Sequence, residues 1–152
     1  KGYLHVCGEI TPAQVDLRRR LAALPQVTDH GRISFIKFLK QRRRVLLSPS
    51  FSEGLPRTVM EALACGSSAI VSEASSGGFV EHGRTGWIVA LDHRSLLAAM
   101  QAAESEWSRV PEMGNLAATR VLERTRGYFD TVARAVAEVA AGKSKEKGFS
   151  LC

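Results

Sequence analysis

Short apolar runs alternate with amphipathic stretches along most of the chain. The first run, Tyr3–Cys7 (YLHVC), stops at a glycine, and the spacing of apolar residues over Gln14–Leu24 predicts a helix after it. The same order returns with Val27–His30, which predicts a second strand, and with Ser34–Arg43, which predicts a helix capped by Ser34. The pattern therefore predicts repeated strand–turn–helix units.

Three continuous apolar runs follow, and such runs are typical of strands buried on both faces of a parallel sheet. They are Val45–Leu47, Ala69–Val71 and Trp87–Val89. Between the first two, Pro56–Cys65 predicts a helix with proline at its first position and a glycine after its end. Residues 72–78 (SEASSGG) predict a loop. Parallel strands need crossover connections, which are usually helical, so we predict an α/β fold with a doubly wound, mostly parallel sheet.

The last third of the chain is predicted to be helical, over Ser95–Ser105, Pro111–Glu123 and Tyr128–Ala141. Residues 142–152 (GKSKEKGFSLC) mix Lys, Ser and Gly with little apolar surface, and we expect them to form a disordered tail. Residues 1–141 then make one domain of ordinary size.

Charge and cysteine content narrow the function only slightly. The 21 Lys and Arg exceed the 15 Asp and Glu, and the net charge of +6 admits a phosphate, a nucleic acid or an acidic membrane surface as partner. The three cysteines and four histidines lack metal-ligand spacing, so we expect reduced thiols, two of them in the core, and no metal. No apolar run approaches the ~20 residues of a membrane span, and no signal peptide is evident. We expect a cytoplasmic protein and leave peripheral membrane contact open.

Two arginine triplets, Arg18–Arg20 and Arg42–Arg44, raise the question of nucleic-acid binding. Each triplet winds around a predicted helix, and no interleaved aromatic residues indicate base stacking. We therefore interpret both triplets as solvated helix faces and do not expect a nucleic-acid partner.

The stretch Ser48–Gly66 (SPSFSEGLPRTVMEALACG) holds the clearest candidate site. A predicted strand runs into a loop with Glu53 and Gly54, and a predicted helix begins just behind it. The first N–H groups of a helix have no internal partner and carry the positive end of its dipole, so Arg57 and Thr58 are placed to offer amides to a phosphate. A ligand can approach the backbone closely at Gly54.

Two carboxylates beside a phosphate site need a further partner, and sugar hydroxyls are natural candidates. A nucleotide sugar carries a ribose and a hexose on either side of its diphosphate, and Glu53 and Glu61 are candidates to hold one each. Ligands of open α/β sheets bind beyond the carboxyl ends of the strands, where Gly8, Gly31 and the loop with Glu53 all lie. A solvated carboxylate near a helix start is the ordinary alternative.

These motifs resemble the C-terminal, donor-binding domain of the retaining GT-B fold glycosyltransferases of family 4, the glycosyl transferases group 1. The resemblance rests on Glu53 and Glu61, on EGLPRTVMEALACG around them, on LLSPS before them, on GRTGWIV after them and on LHVCGE near the start. It covers Tyr3 to about Tyr128, with the motifs in the family's order. It implies a Rossmann-like half of a GT-B fold with C-terminal helices.

The resemblance also implies a role for each matching residue. Glu53 would contact the donor sugar and stabilise charge at its anomeric carbon, which makes it the candidate catalytic residue, and Glu61 would hold the ribose hydroxyls. The residues implied to bind the diphosphate, sugar or base through backbone and loop contacts are Gly8, Gly31, Arg32, Gly54, Leu55, Arg57 and Thr58. The family needs no metal, so the resemblance implies a nucleoside-diphosphate sugar as donor and no cofactor.

The reaction implied is transfer of a hexose from the nucleotide sugar to an acceptor hydroxyl, with retention of the anomeric configuration. Family enzymes also have an N-terminal acceptor domain, and a basic pair after the first strand of the donor domain; the resemblance implies that this sequence begins after that strand. Because stabilisation of the leaving group is a large catalytic term, we expect the isolated chain to be inactive without that basic pair and without an acceptor domain in cis or in trans. The alternative is a non-catalytic nucleotide-sugar-binding or protein-interaction module derived from such a domain.

Overall fold

The computed structural model describes residues 3–9, 11–41 and 44–140, and it confirms the alternation of strands and helices. The strands are β1 (Leu4–Val6), β2 (Val27–Asp29), β3 (Val45–Ser48), β4 (Ser68–Ser72) and β5 (Gly86–Val89). The helices are α1 (Val15–Ala22), α2 (Phe35–Gln41), α3 (Arg57–Ala64), α4 (Glu73–Ser76), α5 (His93–Ser105) and α6 (Val110–Ala140). Short 3₁₀ turns precede α1 and α6.

The strands form parallel pairs in two ladders. In one ladder β1 pairs with β2, with Leu4 opposite Val27. In the other, β4 lies between β3 and β5, and Ala69 is opposite both Leu46 and Gly86. No ladder links the two sets within the described ranges. The α/β class with parallel strands is confirmed, and its strands are divided between two ladders rather than joined in one sheet.

The hydrophobic core surrounds β4, whose five residues are all buried. Alternate residues of the strand face two apolar clusters, as expected of a central strand covered by helices on both sides. Ala69 and Val71 belong to the cluster that holds Leu63 of α3, and Ile70 belongs to the cluster that holds Trp87 of β5. Helix α6 contributes to both clusters, so it holds the three-stranded half of the molecule together.

The third strand and the last helices differ from their predictions. The strand at Val45–Leu47 is half-buried rather than buried on both faces, because β3 has a ladder partner on one side only. The two helices predicted over Pro111–Glu123 and Tyr128–Ala141 are one helix of 31 residues. Gly127 lies within it, and an interior glycine costs only about 1 kcal/mol relative to alanine, which is too little to end a helix.

The loop predicted over residues 72–78 contains the short helix α4. Ser72 and Ser75 form a capping box, in which the Ser75 N–H donates to Ser72 Oγ at 3.2 Å and the Ser72 N–H donates to Ser75 Oγ at 3.0 Å. These reciprocal bonds satisfy two amides that a helix start otherwise leaves open. The Ser/Gly composition predicts a loop because it carries no helical periodicity.

The remaining predictions concern the cysteines, the tail and the membrane. Cys7 and Cys65 are free and half-buried rather than in the core, and burial raises the pKa of the Cys7 thiol. The expected end of the second helix at Arg43, and residues 142–152 with Cys152, lie outside the described residues. None of the described helices combines the length and the apolar character needed to cross a bilayer.

Candidate functional site

The predicted site residues fall into two groups at the carboxyl ends of strands. Gly8, Gly31 and Arg32 line an open cleft of about 860 Å³ between the ends of β1 and β2 and helix α1, which we call the glycine-loop cleft. The other group occupies the β3–α3 connection and the first turns of α3. None of that second group lines the cleft, so the structure does not join the two groups in one cavity.

The two glycines of the cleft adopt backbone conformations that few other residues tolerate. Gly8 has φ +112° and Gly31 has φ +60°, and the Gly8 N–H donates to the Gly31 carbonyl at 2.8 Å. A Cβ at either position would meet no atom within 4 Å, so the backbone conformation, not lack of space, favours glycine here. The two turns are therefore tied to each other.

Arg18 of α1 lies behind these turns. Its Nε and Nη2 donate to the two carboxylate oxygens of Asp29, and its Nη1 donates to the Gly8 carbonyl at 2.8 Å. The hydrogen bond from Arg18 and then the Gly31 N–H, 2.9 Å from Asp29 Oδ1, lower the pKa of Asp29 to about 2. The interpretation as a solvated helix face is wrong for Arg18, whose side chain is 12% exposed, whereas Arg19 and Arg20 are exposed.

Sequence reasoning missed this pair because its partners are 11 residues apart, on a helix and on the strand after it. The signal available was Asp29 at a strand end two residues before a glycine, where an apolar residue would extend the strand. The charged groups nearer the mouth of the cleft are different: Arg32 pairs with Glu9 at 3.0 Å, and both side chains are exposed. Exposed pairs of this kind contribute little to stability, so Arg32 is available to a ligand.

Two histidines meet beside the cleft, although 25 positions separate them along the chain. His5 Nδ1 lies 2.9 Å from His30 Nε2, and both rings pack against Phe38. One ring must donate and the other accept, so at least one of the two is neutral. His30 lines the cleft. Neighbouring parallel strands bring the pair together, which sequence spacing does not reveal.

The β3–α3 connection presents its candidate residues to solvent. Glu53, Gly54 and Leu55 are exposed, and the Glu53 carboxylate has no hydrogen bond or ion pair with any described residue. Glu61 lies farther along α3, 30% exposed, and accepts from Arg57 Nε at 3.0 Å. The Arg57 side chain is itself 84% exposed, so a ligand hydroxyl can compete for the Glu61 carboxylate.

The start of α3 differs in register from the sequence expectation. Pro56 is the residue before the helix, not its first residue, and it is buried. The Arg57 N–H donates to the Leu55 carbonyl at 2.7 Å, so it is not open to a phosphate as predicted. The N–H groups of Thr58 and Val59 have no acceptor among the described residues. The open amides are therefore those of Thr58, as predicted, and Val59, which the prediction missed by one position.

The family model described as Glycosyl transferases group 1 matches residues 2–105, which include both groups of candidate residues. The chain belongs to this family. No curated protein matches the chain.

Solved structures of glycosyltransferases share the fold of this group 1 chain. The pneumococcal O-GlcNAc transferase GtfA, in complex with UDP and GlcNAc, is 21% identical with a TM-score of 0.74, and the match covers 91% of this chain and 29% of that one. Sucrose-phosphate synthase from Thermosynechococcus elongatus is 22% identical with a TM-score of 0.68, covering 88% and 39%. HepE from Anabaena, in complex with UDP and glucose, is 17% identical with a TM-score of 0.66, covering 87% and 40%.

These similarities show that the group 1 chain has the α/β fold found in GT-B glycosyltransferases. The chain spans between 29% and 40% of the length of these three proteins.

In the group 1 domain, α4 anchors the β3–α3 connection at its beginning. Ser75 Oγ donates to the Ser48 carbonyl at 2.6 Å, and Ser72 Oγ donates to the Ser50 carbonyl. Ser72 and Ser75 are both buried, and the two bonds they donate are partly shielded from water. The same two serines that cap α4 therefore hold the peptide that leads to Glu53.

Helix α4 also meets the far end of the connection. Gly77 ends α4 with φ +53°, and a Cβ there would lie 2.6 Å from the Cγ of Pro56. The group 1 domain thus holds the start of α3 against the end of α4. Glu53, between the two anchored ends, is fixed only through its backbone.

Within the described ranges no group of three His, Cys, Asp or Glu side chains is arranged to hold a metal ion. The expectation that the site works without a metal stays a prediction.

Proposed function

We propose that this domain binds the nucleoside-diphosphate sugar donor of a retaining hexosyl transfer to an acceptor hydroxyl. The observation that carries the proposal is the start of α3, where two open amides, of Thr58 and Val59, lie close along the chain to the exposed and unpaired carboxylate of Glu53. The amides and the helix dipole suit a diphosphate, and the carboxylate suits sugar hydroxyls.

Membership of the family supports a transferase reaction, and the solved proteins support a particular nucleotide. GtfA is described with UDP and GlcNAc, and HepE with UDP and glucose. We therefore infer that UDP is the first nucleotide to test, with guanosine and adenosine diphosphates beside it. The glycine-loop cleft lies at the ends of β1 and β2, and its exposed Arg32 can exchange the exposed Glu9 for a phosphate of the same ligand.

Each candidate residue has a defined part in the proposed reaction. Glu53 contacts the hexose and stabilises the positive charge that develops at the anomeric carbon as the bond to the diphosphate breaks. The amides of Thr58 and Val59 receive the leaving diphosphate. Glu61 accepts from the ribose hydroxyls, and Arg57 then turns toward the phosphates. Transfer also needs an acceptor site, which we expect a further domain to supply, in this chain or in another.

The test is a thermal-shift and calorimetric panel of uridine, guanosine and adenosine diphosphates with their sugars. We expect one base to stabilise the chain, because a ligand at ~100 times its Kd adds about 2.7 kcal/mol to the free energy of unfolding. Glu61→Gln should weaken that ligand about tenfold, equivalent to ~1.4 kcal/mol, because it removes a charged acceptor. Glu123→Gln is the matched control, because it makes the same carboxylate-to-amide change at an exposed position on α6, and it should bind as the wild type does.

Two results would contradict the proposal. One is a folded wild-type chain that none of the nucleotides or nucleotide sugars stabilises. The other is equal affinity of Glu61→Gln and the wild type for the ligand found.

The alternative function is a non-catalytic module, and one observation favours it: the two groups of candidate residues line no common cavity. A protein-interaction module of this kind binds neither the nucleotide nor the nucleotide sugar, and the same panel separates it from a donor site.

A further inference from the structure

The most constrained polar cluster outside the β3–α3 connection is the one around Arg18. Three of its guanidinium nitrogens are engaged, two with the Asp29 carboxylate and one with the Gly8 carbonyl. The Asp29 carboxylate in turn accepts the Gly31 N–H at 2.9 Å. One arginine therefore connects helix α1 to the turn after β1 and to the turn after β2.

The arginines that line the glycine-loop cleft are not equivalent. Arg18 is 12% exposed, and three of its five N–H donors are engaged with the Asp29 carboxylate and the Gly8 carbonyl, which fixes the direction of the guanidinium. Arg19 is exposed and lies 3.9 Å from Asp16, and Arg32 is exposed beside Glu9. An anionic ligand in the cleft can therefore displace the partner of Arg32 or Arg19 at little cost, whereas it cannot recruit Arg18 without separating a bidentate pair.

We propose that Arg18 is a positioning residue for nucleotide binding, which fixes the turns at Gly8 and Gly31 through Asp29 while Arg32 makes the direct contact with the ligand's charge. The inference rests on the proposed function, since it assumes that a nucleotide occupies the cleft. It assigns different roles to two arginines, the largely covered Arg18 and the exposed Arg32.

The physical reason lies in the two glycines. Glycine can adopt more backbone conformations than any other residue, so turns built on glycine are flexible unless something holds them. Without Arg18, a ligand that needs both turns in place would have to order them itself. A planar guanidinium with three donors in fixed directions orders both turns before the ligand arrives. Lysine keeps the charge but supplies no such fork, so charge alone does not replace Arg18.

The experiment compares Arg18→Met with Arg32→Met in the 152-residue chain, with the exposed Arg94→Met on α5 as matched control. The Kd for the stabilising nucleoside diphosphate is measured at low and at high ionic strength, on protein shown to be folded by its melting transition. Arg18→Met should raise the Kd about tenfold with the same salt dependence as the wild type, because a positioning role involves no ion pair with the ligand. Arg32→Met should raise the Kd at low salt and flatten its salt dependence, and Arg94→Met should change neither.

Conservative variants separate positioning from simple support of the fold. Arg18→Lys should keep most of the thermal stability yet recover little of the affinity. Asp29→Asn should weaken binding as Arg18→Met does, and the double variant should weaken it no further, because both changes break one unit. If Arg18→Met proves unfolded, Asp29→Asn and Arg18→Lys are compared with Arg32→Met and with the wild type in its place.

Each result counts for or against the inference. It is overturned if folded Arg18→Met or Asp29→Asn binds as the wild type does, or if Arg18→Met flattens the salt dependence as a direct ligand contact would. A wild-type chain that binds no nucleotide contradicts the proposed function itself, and is thereby distinguished from a failure of Arg18 alone.

Discussion

At the scale of single residues, the candidate donor site combines side chains held in place with side chains left free. Glu53 is exposed and has no partner among the described residues, whereas Asp29 is fully engaged beside the glycine turns. A free carboxylate on an anchored backbone is suited to meet a ligand, and an engaged one is suited to hold the protein. We therefore expect substitution of Glu53 to act on a direct contact with the ligand, and substitution of Asp29 to act on the stability of the protein.

Glu53→Ala should weaken binding of the nucleotide sugar more than binding of the bare nucleotide. The proposed contact is with the hexose, which the bare nucleotide lacks, so we expect about a tenfold selective loss, or ~1.4 kcal/mol. Isothermal titration with both ligands measures the ratio. Equal losses would show that Glu53 does not contact the sugar, and an unchanged melting temperature would be the check that the loop still folds.

Asp29→Asn should change the pH dependence of stability. The folded pKa of Asp29 is about 2, below the ~3.9 of an unfolded aspartate, so its stabilisation is present above about pH 4 and is lost as the pH falls toward 2. The variant should melt below the wild type at pH 7, and the difference should shrink between pH 4 and pH 2. Asp92, whose pKa the Ser95 amide also lowers, titrates in both proteins and cancels. A difference in melting temperature that does not vary with pH would contradict the assignment.

At the scale of elements, local capping and close backbone contacts decide where helices begin and how they pack. The Ser72–Ser75 capping box produces α4 where composition predicts a loop, and Asp92 caps α5 by accepting the Ser95 N–H at 2.9 Å. Helix α6 continues through Gly127, which has no close neighbour, whereas at Gly114 the helix packs against the backbone of Gly66. A Cβ at Gly114 would lie 1.9 Å from the Gly66 carbonyl oxygen, just after α3.

The two glycines of α6 make a matched pair for substitution. Gly114→Ala should destabilise the fold by ~1–3 kcal/mol or more, because α6 must move away from the backbone at Gly66. Gly127→Ala, where a Cβ meets nothing within 4 Å, should stabilise it by up to about 1 kcal/mol through helix propensity. Urea unfolding of both variants measures the difference, and two shifts of the same sign would contradict the packing described here.

At the scale of the whole molecule, burial is unevenly distributed. The two apolar clusters both lie around the β3–β4–β5 ladder, while Leu39 is the one buried apolar side chain among the described residues before β3. The β1–β2 ladder has two strands of three residues each. A short two-stranded ladder with little burial is weak by itself, so the glycine-loop cleft belongs to the less stable half.

Hydrogen exchange should report this asymmetry directly. Amides of β4 should exchange most slowly, near the rate set by global unfolding, and those of β1 and β2 much faster through local opening. A bound nucleotide should slow exchange in β1, β2 and their turns more than in β4, because the cleft lies at the end of that ladder. Mass-spectrometric exchange with and without the nucleotide measures both effects, and uniform rates along the chain would contradict the description.

The sequence by itself determined the order of the five strands and of helices α1, α2, α3 and α5, the parallel α/β class and the family, because apolar periodicity and the ordered motifs around Glu53 and Glu61 are local signals. It also placed a helix start with open amides beside Glu53, one position away from the observed pair. These features depend on residues close together along the chain, where spacing and secondary structure are directly linked.

Only the tertiary structure decided which distant residues meet. The Arg18–Asp29 pair, the His5–His30 contact and the bond from Ser75 to Ser48 join positions 11, 25 and 27 residues apart. Such contacts depend on strand register and helix packing, which place side chains from separate elements together and leave no periodic trace in the sequence. The same reason explains why the sequence predicted one ligand for both groups of candidate residues, while the described structure places them at the ends of strands in two separate ladders.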